Sequence, residues 1–195
     1  WRKHLVLDYF GSGEKFGVDI SYLVQDDMLG LADAIGRVRN FVDEPFVVGL
    51  GDDIFYPTSC VKDITDFHEK KKPTATLSIE DVPKNAVEKY GIVKLDKNNK
   101  VIDLIEKPQA SRAPSTLAIA GIYVFTPEIF DAIKKTKPGR GNELQLTDSI
   151  KLLVDSGKTV YAKKLSGERI TIGSIEELRR ANEFFVHMND KKRPR

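Results

Sequence analysis

Pro45-Phe46-Val47-Val48-Gly49-Leu50-Gly51-Asp52-Asp53-Ile54-Phe55-Tyr56 is the stretch on which the fold turns. It opens as a run of strand-forming apolar residues and then presents Gly-Asp-Asp. A continuous apolar run, as opposed to an alternating one, predicts a strand covered on both faces, as in a parallel sheet. Ligands of open α/β sheets bind just beyond the carboxyl ends of such strands. Carboxylates placed there suit a hard, oxygen-seeking cation such as Mg2+. Successive strand side chains point to opposite faces, so Asp52 and Asp53 do not share one site unless the chain kinks at Gly51. One of the two is a ligand candidate, and the other hydrogen-bonds locally. Taken alone, the pair is also what a strand-ending turn with two solvated aspartates contains.

Upstream, Val18 to Val24 is a β-rich run ending in Gln25. After Gly30, residues Ala34, Ile35, Val38 and Phe41 or Val42 fall at helical spacing. With the strand that follows, this predicts a strand–helix–strand unit winding right-handed. Leu5-Val6-Leu7 is strand-like and lies within a few residues of Trp1, so the chain reads as entered partway through a domain. Downstream, Thr58 or Ser59 caps a helix with Val61, Ile64 and Phe67 inward. His68, near its end among lysines, reads as a surface or C-terminal-turn residue, because no second His or Cys stands at ligand spacing. Thr74 to Ile79 is a strand. Tyr90 to Leu95 and Val101 to Ile105 form an antiparallel hairpin around Asp96-Lys97-Asn98-Asn99-Lys100. Leu117 to Phe125 is an apolar strand, and Thr126-Pro127 starts a helix. Thr147 caps another helix, which ends at Gly157. Val160 to Leu165 is a strand and Arg169 to Ile172 a further extended piece. Ser174-Ile175-Glu176-Glu177 is a capping box opening the last helix. Strand and helix alternate early and a hairpin is then inserted, which predicts an α/β fold with a mixed sheet.

A length of 195 residues, with 41% apolar and 31% charged, suits one globular domain with a real core. The expected division is a domain over residues 1–188 and a basic tail over 189–195. A net charge of +2 makes no general case for nucleic acid as a partner. Lys70-Lys71-Lys72 follows a helix, where cations complement the dipole, and Lys191-Lys192-Arg193-Pro194-Arg195 reads as a solvated tail. The single cysteine, Cys60, excludes an intramolecular disulfide and fits a reducing cytoplasm. No apolar run reaches membrane-spanning length, and no signal-peptide pattern opens the chain.

Several segments then occur together in a telling order. Gln25 is followed five residues later by Gly30-Leu31-Ala32, and then by Gly51-Asp52-Asp53-Ile54-Phe55. Tyr90-Gly91-Ile92-Val93 leads to Glu106-Lys107-Pro108. Ala120-Gly121-Ile122-Tyr123-Val124 precedes Gly139-Arg140-Gly141-Asn142-Glu143-Leu144-Gln145-Leu146-Thr147-Asp148. From Asp8 to about Phe185 the chain resembles the sugar-1-phosphate nucleotidyltransferases, of the glucose-1-phosphate thymidylyltransferase and UTP–glucose-1-phosphate uridylyltransferase kinds. Glu143–Asp148 is similar to the uridylyl branch and Gly-Asp-Asp-Ile-Phe-Tyr to the thymidylyl branch.

The resemblance implies a Rossmann-like, GT-A-like fold with a mixed, mostly parallel central sheet plus the antiparallel hairpin. It implies that Gln25 and Gly30 read the nucleotide base, the glycine by close backbone approach. Asp52 would hold Mg2+ between the nucleotide phosphates and the sugar phosphate. Gly91 would bind sugar hydroxyls by its backbone, Glu106 would accept from them, and Lys107 would meet the sugar phosphate as a point charge. The implied substrates are a nucleoside triphosphate, dTTP or UTP, and a hexose-1-phosphate, glucose-1-phosphate foremost. The implied reaction is in-line attack of a sugar-phosphate oxygen on the α-phosphorus. A phosphomonoester has a second pKa of about 6 and is largely dianionic at neutral pH, so no side-chain base is required. Holding two anions together and neutralising them is the task left to the protein.

Two features depart from the family's pattern. Its opening Gly-x-Gly-Thr-Arg loop is not found, so the expectation is a chain that is N-terminally incomplete for catalysis, with an open sheet edge through which a homo-oligomer could pair. Thr171 stands where a second metal-binding aspartate is expected, and its hydroxyl is a weaker Mg2+ ligand. These departures motivate an alternative, a non-catalytic relative that binds sugar phosphate or nucleotide as a regulatory or partner subunit. A glycosyltransferase-like domain ranks last, because it calls for Asp-x-Asp and here the aspartates are adjacent.

Overall fold

The computed structural model describes residues 3–192. It contains α1 (Lys3–Phe10), α2 (Leu31–Gly36), β1 (Phe46–Gly49), β2 (Asp53–Tyr56), α3 (Ser59–Lys71), β3 (Ala75–Asp81), β4 (Gly91–Leu95), β5 (Val101–Glu106), β6 (Leu117–Phe125), α4 (Ile129–Lys135), α5 (Leu146–Asp155), β7 (Val160–Lys164), β8 (Glu168–Thr171) and α6 (Ile175–Lys192). Six strands form the central sheet in the order β5-β4-β6-β3-β7, with β1 also against β6. β6 is long enough to take β1 along one half of an edge and β4 along the other, while β3 lines its opposite edge.

The expected mixed sheet is present. The pairings set β1, β3, β4 and β7 in one direction and β5 and β6 in the other. Neighbouring pairs are nonetheless antiparallel except β3 with β7, because β6 is inserted among the like-directed strands. β4 and β5 are the expected hairpin. β2 and β8 form a separate two-stranded antiparallel sheet, with Asp53 opposite Thr171 and Phe55 opposite Arg169.

Apolar burial gives the fold its layers. α2, α4 and α5 pack on one face of the central sheet through Ile35, Ile129, Phe130, Ile150 and Leu153 against Leu77, Ile119 and Phe125. On the other face Ile64 of α3 packs against Ile122 and Val124. Such fully buried aliphatic side chains contribute about 1.5–3 kcal/mol each. α6 joins through Ala181, which is buried, and through Phe184 and Phe185, whose rings stand edge-on to Tyr56.

Several expectations are corrected. β1 is not covered on both faces: Phe46 and Val48 are half-buried, while Val47 is 44% exposed. The reason is that Val18–Val24, expected as its neighbouring strand, makes no ladder among the described residues. Leu5-Val6-Leu7 is helical, in α1. Without a partner strand, a local helix satisfies the backbone groups that a ladder would have taken. His68 does lie in the last turn of α3, but it is buried, its Nδ1 3.0 Å from Thr76 Oγ1. Burial lowers its pKa below the ordinary histidine value. The tail expected from 189 is helical through Lys192, as the end of α6, and residues 193–195 lie outside the described residues.

Candidate active site

Three groups of residues lie along the sheet. The first is the Asp52 turn between β1 and β2. Leu50 N–H donates to the Gly121 carbonyl at 3.1 Å and Ile172 N–H to the Asp52 carbonyl at 2.7 Å, which pins the turn between β6 and the segment after β8. The two aspartates then part as strand alternation requires. Asp52 is exposed, and among the described residues no hydrogen bond or ion pair engages its carboxylate. The Asp53 side chain is 2% exposed; it accepts from Thr171 Oγ1 at 2.7 Å, and Arg169 Nη1 lies 3.5 Å from its other oxygen. Asp53 also lies tight over Gly121, where φ is +77° and a Cβ would come within 2.4 Å of Asp53 Oδ2. Thr171 therefore faces the buried aspartate. Gly173 lies beside two carboxylates: a Cβ on it would lie 3.5 Å from Asp52 Oδ2 and 3.6 Å from Glu177 Oε2.

The second group gathers at the start of β4 and the end of β5. Gly91 and Glu106 are opposite each other in the ladder. Thr147 Oγ1 donates to Glu106 Oε2 at 2.6 Å, and a Cβ on Gly91 would lie 2.8 Å from that hydroxyl and 3.1 Å from the carboxylate. Lys107, with φ +43°, turns its Nζ to 3.6 Å from Glu106 Oε1. Its carbonyl accepts from Arg140 Nη1 at 2.8 Å. Burial and the nearby Glu106 charge raise the pKa of Asp148. Thr147, Arg140 and Asp148 were read as a cap, a loop and part of a family-like segment, with no role given to any of them, because their partners are some 30 to 40 positions away in sequence.

The third group is Gln25 and Gly30. Gln25 Nε2 donates to the Gly30 carbonyl at 3.1 Å and to Asp33 Oδ2 at 2.8 Å. Gly30 does meet a backbone closely, but that backbone belongs to this chain: a Cβ would lie 2.6 Å from the Leu144 carbonyl oxygen. Leu144 N–H donates to the Leu29 carbonyl and Ala32 N–H to the Leu144 carbonyl, at 2.7 and 3.0 Å.

No hydrogen bond or ion pair joins Asp52 to the residues of the other two groups. Between the first and second groups lies Tyr123, buried, its hydroxyl pKa raised by burial and by the Glu106 carboxylate. Clefts of about 450 Å3 between α4 and α5 and about 460 Å3 beside His68 contain none of these residues. Among the described residues, no three His, Cys, Asp or Glu side chains are arranged to hold a metal. An ion at Asp52 would therefore take most of its oxygens from substrate and water, which is how Mg2+ is usually bound. The free, exposed carboxylate of Asp52 fits that arrangement. No helix among the described residues is long and apolar enough to cross a membrane.

The fold agrees with comparisons to known proteins. The profile of the nucleotidyl transferase family matches residues 2–187, and the chain belongs to that family. Its relatives set it among the sugar-1-phosphate nucleotidyltransferases. The UTP–glucose-1-phosphate uridylyltransferase of Staphylococcus haemolyticus is 38% identical over 161 residues, covering 80% of this chain and 55% of that protein. The low-salt glycan biosynthesis nucleotidyltransferase Agl11 of Haloferax volcanii is 33% identical over 189 residues, covering 96% of this chain and 51% of that protein. A crystal structure of UDP-glucose pyrophosphorylase complexed with UDP-glucose superposes with a TM-score of 0.83 at 30% identity, over 96% of this chain and 74% of that one. The chain thus spans little more than half the length of these curated relatives.

Proposed function

We propose that the protein joins a nucleoside triphosphate, UTP or dTTP, to a hexose-1-phosphate, glucose-1-phosphate foremost, forming a nucleoside-diphosphate sugar and pyrophosphate. The observation that carries the reading is the Glu106 cluster: Gly91, Glu106 and Thr147 in mutual contact with Lys107 beside them. A carboxylate fixed by a hydroxyl and edged by glycine backbone suits a polyhydroxylated ring, and the adjacent ammonium suits its phosphate.

The roles follow from the chain's own atoms. Both amide hydrogens of Gln25 are taken by Gly30 and Asp33, so its Oε1 is left as an acceptor. That matches the ring N–H of uracil or thymine and supports a pyrimidine triphosphate. Gly91 and Glu106 orient the sugar, and Lys107 neutralises and orients its phosphate. A sugar-phosphate oxygen attacks the α-phosphorus, the bond to the β-phosphate bridging oxygen breaks, and pyrophosphate leaves. The attacking group is already ionised at neutral pH, so positioning and charge neutralisation supply the rate. Mg2+ bound at Asp52 would add positive charge between the phosphates. The single, buried Cys60 supports the cytoplasm as the place of work.

The test is pyrophosphate release by the full chain with Mg2+, each nucleoside triphosphate and glucose-1-phosphate. Release with UTP or dTTP is expected. Thr171, committed to Asp53, favours the second reading of a partner or regulatory subunit that binds without turnover. Nucleotide binding with no pyrophosphate from any combination would select that reading.

A further inference from the structure

Arg169 on β8 carries a charge for which the proposed function has no task. Its side chain is 8% exposed and meets groups from three elements. Nη1 lies 3.5 Å from Asp53 Oδ2 on β2. Nε donates to Glu80 Oε1 on β3 at 3.0 Å, and Nη2 closes on the same oxygen. The guanidinium carbon stands 5.0 Å from the centre of the Tyr90 ring, just before β4. Burial opposes the charge, but Glu80 and Asp53 outweigh it and raise the Arg169 pKa.

Two of these three contacts, Asp53 and Tyr90, lie next to a proposed substrate group. Asp53 adjoins Asp52. Tyr90 adjoins Gly91, and its carbonyl accepts the Lys107 N–H at 2.9 Å. On its leading side the Asp52 turn is tied to β6 by the β1 ladder and by the Leu50–Gly121 hydrogen bond. On its far side β2 and β8 form their own small sheet with no ladder to the central one, and Arg169 spans that gap to β3 and the approach to β4. Stability alone is a weak reason to keep such a group, since apolar replacements of buried ion pairs are often neutral or better.

We propose that Arg169 is a positioning residue for nucleotidyl transfer, holding the Asp52 turn at a fixed spacing from the Tyr90–Gly91 end of the sugar site. The inference rests on the function proposed above. A planar fork that contacts two carboxylates and a ring face sets a spacing that lysine, a point charge on a flexible stem, does not. In-line transfer is sensitive to that spacing, a misplacement of about 1 Å costing on the order of a hundredfold.

The experiment measures pyrophosphate release and thermal midpoint for the full chain and for Arg169→Lys, Arg169→Gln and the double variant Asp53→Asn/Arg169→Gln, with Mg2+, glucose-1-phosphate and the preferred triphosphate. Arg169→Lys is expected to lose tenfold or more in kcat, with both KM values within threefold and the midpoint near that of the parent. Arg169→Gln leaves Asp53 buried without its cation and melts earlier. The double variant regains most of that midpoint but not the kcat, which a merely structural arginine would not predict. An Arg169→Lys variant with parental kcat, or a double variant whose kcat returns with its midpoint, overturns the proposal while an active parent keeps the function. A parent silent with every triphosphate overturns the function and the proposal together.

Discussion

Gly121→Ala should be among the costliest methyl additions in this chain, and its cost can be divided. At φ +77° the new side chain meets the left-handed-backbone penalty, about 1–2 kcal/mol. Its Cβ would also lie 2.4 Å from Asp53 Oδ2, so the carboxylate must withdraw. Withdrawal loosens the bond from Thr171 and the pairing with Arg169; a hydrogen bond to a charged group contributes about 1.5–3 kcal/mol. The sum is about 2.5–5 kcal/mol, which in a chain of this size lowers the melting temperature by roughly 5–20 °C. Gly157→Ala separates the two parts: φ there is +80°, and a Cβ would meet nothing within 4 Å. It should lose only the backbone part, about 1–2 kcal/mol. Urea unfolding followed by circular dichroism measures both variants. If Gly121→Ala costs no more than Gly157→Ala, the carboxylate does not lean on β6 as described, and the account of the Asp52 turn fails with it.

Asp52→Asn should abolish pyrophosphate release while shifting stability by less than about 0.5 kcal/mol, as expected of an exposed side chain without partners. Asp53→Asn should do the reverse in emphasis, losing about 1–3 kcal/mol in urea melts with a milder loss of activity; the opposite order would show that the other carboxylate is the ligand. Thr147→Val removes the donor to Glu106 and should raise KM for the sugar phosphate about tenfold, the equivalent of about 1.4 kcal/mol, with KM for the triphosphate unchanged; initial rates under varied sugar phosphate decide it. His68 has a folded-state pKa below its unfolded value of about 6.5, so the unfolded chain takes up the proton first. Stability should be complete above that pH and fall as pH drops from about 6.5 toward the lower folded value, and His68→Gln should flatten that slope in melts between pH 7 and 5.

Local chemistry reached the hairpin and the neighbourhood of each helix start, but not the caps: Thr58 makes no side-chain capping bond, α4 begins after Glu128, and Thr147 lies inside α5, which starts at Leu146. Gly139-Arg140-Gly141 read as a loop and holds a short 3-10 turn over Arg140–Asn142; Ser174 accepts from the Glu177 N–H as a cap should, while its hydroxyl donates to the Glu177 carboxylate. What escaped depends on partners distant in sequence. Val18–Val24 has strand composition but no ladder, and Leu5-Val6-Leu7 became helical for the same reason. His68 looked exposed among lysines because nothing nearby in the chain announces Thr76. The division of labour between Asp52 and Asp53 followed from alternation alone, yet which faced outward needed β8. Arg169 was visible only as part of an extended piece, since its three contacts come from β2, β3 and the approach to β4.

The strap at Leu144 has a consequence for loop length. Its amide and carbonyl are tied to Leu29 and Ala32, and three residues later Thr147 grips Glu106. One short piece of backbone therefore sets the proposed base end and the proposed sugar end against the same ruler. Shortening the chain anywhere between Leu144 and Thr147 would drag both ends out of register at once, whereas an insertion between Asp96 and Lys100, at the far tip of the β4–β5 hairpin, would leave both where they are.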